Sequence, residues 1–185
     1  RVPEEFGTLD LGIGAAQDGD TVSVAAGTCD KIAAAFAKAI LLRGRGAEAS
    51  LTILPGLKAA RARVENFTFQ LPPNPGAQSA LVEATDSLTI AGCRFQSPAT
   101  GFVVNDLGEG SRARLLLQQC EFSGLVQAAR VVAAGAADVR VTFEDCVISD
   151  CTIGIEVSAT GVNCPSSATT APPVVPEDVR ATLTR

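Results

Sequence analysis

Leu88-Thr-Ile-Ala-Gly-Cys-Arg-Phe95, Leu115-Leu-Leu-Gln-Gln-Cys-Glu-Phe122 and Val141-Thr-Phe-Glu-Asp-Cys-Val-Ile148 align without a gap. Each reads apolar-x-apolar, a two-residue corner, then Cys-x-apolar. Their starts lie 27 and 26 residues apart, and a fourth copy, Ala62-Arg-Val-Glu-Asn-Phe-Thr-Phe69, begins 26 residues upstream with Phe67 in the cysteine place. Another segment follows at a fixed distance: eight residues beyond Cys93, Cys120 and Cys146 stand Gly101-Phe-Val-Val104, Ala128-Ala-Arg-Val131 and Gly154-Ile-Glu-Val157. Self-similarity at a fixed period marks a repeat architecture, and apolar/polar alternation within each segment marks strands. Three short strands per unit give a coil of parallel strands in which each unit is one rung and equivalent strands stack about 4.8 Å apart. Leucine-rich repeats share the period but need a Leu-x-x-Leu-x-Leu frame and a following Asn, which these units lack. The expected fold is all-β, a right-handed single-stranded parallel β-helix of about five to six rungs.

Working outward, residues 1–163 form the β-helix domain with an N-terminal cap at about 6–18, and 164–185 form a Pro/Ser/Thr-rich C-terminal arm. A β-helix exposes open strand edges at its ends, which invite aggregation unless covered. Thr8 to Gln17 is the candidate capping helix; its glycines make it a poor isolated helix, so packing must hold it. Within the arm, Val179 to Leu183 either adds a last short strand or lies over the open end.

The stretch from Phe6 through Gly19-Asp20-Thr21-Val22 to Gly27-Thr28 resembles the opening of pectin-lyase-like β-helix proteins, in which a short helix precedes Gly-Asp-Thr-hydrophobic and then Gly-Thr-Tyr. Cys29 stands at the Tyr place. Ile40-Leu-Leu-Arg-Gly44, the Gly44-Arg-Gly46 corner and Leu51-Thr-Ile53 resemble that family's second rung. The resemblance spans roughly residues 6–160 and implies the fold; it implies no single activity, because the superfamily hosts many.

Composition narrows the chemistry. The 185-residue chain has 46% hydrophobic and 19% charged residues, a globular balance, with no His, Trp, Tyr or Met and Phe as its only aromatic. Lack of His excludes Ser-His-Asp, Cys-His and His-ligated zinc mechanisms. A net charge of −5 and the lack of a basic run argue against nucleic acid, and they oppose a polyanionic ligand. No apolar stretch has the roughly 20 residues needed to span a bilayer. The chain begins at Arg1, which is expected of a processed or excised chain.

Cys93, Cys120 and Cys146 occupy one inward position of successive rungs, an interior cysteine ladder. Their expected role is a buried stack of small apolar groups, since stacked side chains point in parallel and do not converge on a metal. Cys151 and Cys164 flank the last rung; a disulfide there would pin the arm to the coil, and free thiols are the alternative. Cys29 has no evident partner. Asn66-Phe67-Thr68 is an N-glycosylation sequon placed at a solvent-facing corner. With the processed start, it points to a secreted chain.

The outward columns test enzymatic readings. They run Thr68, Arg94, Glu121, Val147 after the corner, Val103, Arg130, Glu156 on the next face, and Thr89, Leu116, Thr142 before the corner. Arg94 with Glu121 and Arg130 with Glu156 are expected cross-rung ion pairs. The family resemblance implies calcium-assisted lyase, hydrolase or methylesterase chemistry, each needing clustered carboxylates. Asp145 and Asp150 fall at solvent corners, Gln118 and Gln119 on a corner edge, and Asp106 with Glu109 offer at most a weak calcium site. No catalytic residue, metal site or cofactor is assigned. The expected function is a non-catalytic structural or adhesive β-helix module, a subunit or domain of a larger extracellular assembly. It would have protein partners or self-assembly and a possible carbohydrate ligand. A pectin-lyase-like enzyme acting on acidic polysaccharide and an intracellular scaffold subunit are the alternatives.

Overall fold

The structure, a computed structural model, describes residues 1–2, 4–28, 36–46, 52–54, 57–70, 80–84, 86–96, 100–107, 112–134, 138–160 and 179–184. One short helix, α1 (Leu9–Ala15), precedes strands that arrive in triplets. These are β1 (Thr21–Val24), β2 (Gly27–Thr28) and β3 (Phe36–Ala37), then β4 (Leu41–Gly44), β5 (Thr52–Leu54) and β6 (Leu57–Ala60). There follow β7 (Arg63–Glu65), β8 (Thr68–Phe69) and β9 (Ala80–Ala84), then β10 (Leu88–Ala91), β11 (Arg94–Gln96) and β12 (Thr100–Leu107). The last are β13 (Arg112–Gln118), β14 (Glu121–Ser123) and β15 (Gln127–Ala134), then β16 (Asp138–Glu144), β17 (Val147–Ser149), β18 (Ile153–Thr160) and β19 (Val179–Thr184).

The first member of each triplet joins sheet A, in the order β1-β4-β7-β10-β13-β16-β19; the second members make sheet B and the third sheet C. Every pairing is parallel, so the chain is a parallel β-solenoid. The gapless alignment of the repeats is its register: Leu88, Leu115 and Val141 stack on sheet A, and Arg94, Glu121 and Val147 on sheet B. Val179–Leu183 takes the strand option, with β19 pairing along β16.

Alternation sorts side chains as period two requires. Val64, Ile90, Leu117 and Phe143 line the interior from sheet A, and Phe69, Phe95 and Phe122 from sheet B. The phenylalanine rings stack face on face, with Phe69 and Phe95 centroids 5.0 Å apart and Phe95 and Phe122 4.5 Å apart at 5°. Two outward expectations are corrected: Thr68 and Val103 are enclosed, at 2% and 5% exposure. Each is a short side chain beside longer ones in its column, Arg94 next to Thr68, and Glu83 and Arg130 about Val103.

The corner between sheets A and B differs from the two-residue reading. Ala91, Gln118 and Glu144 still belong to their strands, and the turn is made at one left-handed residue: Asn66 (φ 59°), Gly92 (φ 59°), Gln119 (φ 52°) or Asp145 (φ 52°). Asn, Asp and Gly tolerate this region best, so Asn66 has a backbone reason to be there. Its side-chain oxygen lies 2.9 Å from where a Cβ on Gly92 would be. The corner between sheets B and C is built the same way at Gly124 and Asp150.

The two ends differ. At the start, Val2 bridges to Val24 along the free edge of β1, and α1 buries Leu9 and Ile13 over the first turn. Thr8 caps the helix by accepting from Leu11 N at 3.3 Å. The Lys38 ammonium donates to Ile13 O, Gly14 O and Ala16 O at 2.7–2.8 Å, closing its other end. At the far end, β17 and β18 are the outermost strands of sheets B and C, and Val147 and Ile153 stand 59% and 46% exposed.

Stacking makes one glycine position diagnostic. A Cβ on Gly101 would meet Ala128 O at 2.7 Å and Leu125 Cδ1 at 3.0 Å, whereas Gly154, two turns on at the same repeat position, has nothing within 4 Å. Gly101→Ala is expected to cost about 1–3 kcal/mol in urea denaturation. Gly154→Ala should stay within about 0.5 kcal/mol of the parent. Equal costs would mean that no turn closes over Gly101.

Candidate functional site

Sheet A gathers positive charge. Its strands carry Arg43, Arg63, Arg112, Arg114, Arg140 and Arg180 against Glu65, Asp138 and Glu144, a net of +3 in a chain of −5. The rest of the molecule therefore holds −8, and net charge alone misdescribes this face. Three of the arginines form one column: Arg114 is in register with Arg140, and Arg140 with Arg180. Adjacent strands set their backbones about 4.8 Å apart, and the Arg114 guanidinium donates to Ala113 O at 3.2 Å. Arg114 and Arg140 are exposed.

Two glutamates of this face have described partners. Glu65 accepts from Arg63 Nε at 2.6 Å and pairs with Arg43 at 2.9 Å. Hydrogen bonding to Arg63, with Arg43 adding to it, holds its carboxyl below the usual range. Glu144 accepts from Gln118 Nε2 at 2.8 Å. Gln118 and Gln119 are thus a side-chain clamp and a left-handed corner, and Asp145 and Asp150 are exposed corner residues.

Sheets B and C pair their charges more evenly. Arg94 Nε lies 3.2 Å from Glu121 Oε2, as expected, and Lys58 Nζ lies 2.9 Å from Glu83. The expected pair of Arg130 with Glu156 is corrected. The two are register partners, yet no ion pair joins them among the described residues, and Glu156 accepts from Gln127 Nε2 at 2.6 Å. The buried amide of Gln127 reaches the carboxylate first.

The cysteine ladder lies where the repeat places it, graded in burial. Cys93 and Cys120 are 1% exposed and Cys146 is half-buried. Each thiol sits against the carbonyl two residues before it and one from the turn below: Ala91 O and Val64 O for Cys93, Gln118 O and Ile90 O for Cys120, Glu144 O and Leu117 O for Cys146. Cys151 repeats the pattern at the next corner, against Ser149 O and Phe122 O. All four are free thiols. Burial pushes the Cys93 thiol up to about 12. The thiols of Cys120 and Cys146 are neighbours in adjacent turns; that neighbourhood raises Cys120, which burial raises further, and lowers Cys146 to about 7.

Cys29, Cys164 and Glu109 lie outside the described residues, as does the side chain of Asp106. Among the described residues no group of three His, Cys, Asp or Glu side chains could hold a metal ion, and no helix is long and apolar enough to cross a membrane. A cleft between α1 and β1 is lined by Arg1, Glu5, Phe6 and Asp20, and its charges include the pair of the N-terminal ammonium with Glu5 at 3.1 Å. No protein-family model, curated protein or solved structure matches this chain.

The outward column read from the sequence lies two residues from the arginines. Thr89, Leu116 and Thr142 were stacked, while Ser87, Arg114 and Arg140 at the next outward position were not. Arg180 lies 40 residues beyond Arg140, outside the 26-residue period, so the period gave no sign of it.

Proposed function

We propose that the chain is a non-catalytic adhesive β-solenoid module of the pectin-lyase-like type, whose sheet A face holds an extended acidic polysaccharide along the coil axis. The arginine column carries the reading. Arg114, Arg140 and Arg180 hold one register position on three successive turns, a sequence pattern that matches a linear polymer with an anion on every unit. Guanidinium groups suit carboxylate and sulfate because they donate two parallel hydrogen bonds. The +3 of this sheet within a −5 chain would orient the approaching polymer toward it. An extracellular setting, with Asn66 glycosylated, belongs to the same proposal; the intact mass of natively purified protein tests it.

The binding test uses oligogalacturonate as probe, with neutral dextran and a DNA oligomer beside it. Oligogalacturonate is expected to bind saturably and to weaken as salt rises. Arg140→Glu should reduce affinity about tenfold or more, while Arg130→Glu on sheet C should change it little. Equal losses in the two variants, or no binding, would overturn the face assignment. Preference for DNA would reassign the polyanion. Release of reducing or unsaturated sugar would instead favour the enzyme reading.

A further inference from the structure

The last turn of the cysteine ladder sets two unlike thiols side by side. Cys146 belongs to the outermost corner of sheets A and B, next to β17, beyond which no described strand of sheet B lies, and it is half-buried. Cys120, directly beneath, is enclosed. Two backbone bonds clamp the corners together on either side of the pair: Gln119 N to Glu144 O and Val147 N to Cys120 O, both 2.9 Å. The Cα atoms are thereby held about one strand spacing apart, roughly 4.8 Å, inside the separation a disulfide spans.

We propose that Cys146 and Cys120 form an oxidisable dithiol: the Cys146 thiolate attacks a hydroperoxide, and the sulfenic acid so formed condenses with Cys120 to a disulfide between adjacent turns. The roles follow from position. Cys146 is the group that solvent reaches, and the neighbouring Cys120 thiol lowers it from the usual thiol range, which favours the thiolate. Asp145 alongside opposes that shift without cancelling it. Cys120, enclosed among carbonyl oxygens, stays protonated and waits as the second thiol.

In the first step the Cys146 thiolate sulfur bonds to one peroxide oxygen, the O–O bond breaks, and the leaving alkoxide or hydroxide takes a proton from water. In the second, Cys120 gives up its proton, its sulfur bonds to the Cys146 sulfur, and the S–O bond breaks, releasing the hydroxyl as water with that proton. Two thiols lose two electrons and the hydroperoxide gains them, yielding one alcohol or water and one further water. The inference is independent of the polysaccharide reading.

Cys151 is the built-in control. It is half-buried like Cys146 and touches two carbonyls in the same way, but it stacks above Leu125, since Thr152 N bonds Leu125 O at 3.0 Å. The reduced full-length chain is treated with hydrogen peroxide at neutral pH, then mapped by mass spectrometry with dimedone as the sulfenic acid trap. In the parent, a loss of two hydrogens should map to Cys120–Cys146. In Cys120→Ala the sulfenic acid has no partner, so the disulfide should be lost and dimedone should label Cys146 instead; in the reduced parent, iodoacetamide should alkylate Cys146 about tenfold faster than Cys151. Cys146→Ala should abolish both signals. Equal alkylation of Cys146 and Cys151 in the parent, an unreactive Cys146, or a disulfide mapped to another pair would overturn the proposal. Far-UV circular dichroism of each variant checks that the solenoid is intact, and the parent's own disulfide map decides the question if a variant fails to fold.

Discussion

Phe122→Ala is expected to lower the free energy of unfolding by about 3–5 kcal/mol, moving the urea midpoint with little change in slope. The ring is fully buried and stacks at 4.5 Å on Phe95, with Phe143 edge-on at 6.3 Å. Truncation removes its apolar area from the core. It also leaves a hole that the turns above and below cannot close, because backbone bonds fix their spacing. For a domain of ordinary stability this is a large fraction of the total. A cost under about 1 kcal/mol would mean that the rings do not form a packed column.

The second large effect is polar. Cys120→Asp should cost several kcal/mol, because an unpaired carboxylate would be enclosed, and its nearest polar neighbours, Ile90 O and Gln118 O, are acceptors like itself. Cys120→Ala should cost only about 1 kcal/mol, one small group being lost. Glu121→Lys, one residue along, loses the exposed pair with Arg94 and should cost less than about 1 kcal/mol. A shift of register by one residue would reverse this order, since alternate residues face opposite sides. Thermal melts of the three proteins decide it: a mild Cys120→Asp beside a severe Glu121→Lys would sink the register.

The fold was legible in the sequence because each turn repeats the same physical demand. An inward position must be apolar and of similar size on every turn, so Ile90, Leu117 and Phe143 recur at a fixed interval and the stacking register can be read off the alignment. Corners were harder. Gln119 and Asp145 give no apolar signal, and only their left-handed backbone shows that the turn is made at a single residue. Outward side chains were hardest. Arg130 and Glu156 are register partners, yet the buried Gln127 takes the carboxylate; competition for one acceptor is not written in a repeat. The charge of sheet A was hidden for a different reason. A total of −5 averages over faces, and the column that matters includes a strand, β19, that the period does not predict.

The parallel ladders also set how the molecule bears load. In all three sheets the strands lie across the coil, and each bonds to the strand one turn away, so the backbone hydrogen bonds point along its length. Force applied along a strand direction meets many of these bonds in shear at once. Force applied from one end of the coil to the other meets them in tension, a turn at a time, in the geometry of a zip. Each turn contacts chiefly its neighbours, so such peeling need not engage the whole core. The module is therefore stiffest across its girth and weakest lengthwise. A polymer gripped by Arg114, Arg140 and Arg180 would run along that weak direction, acting as a splint across the turns it joins.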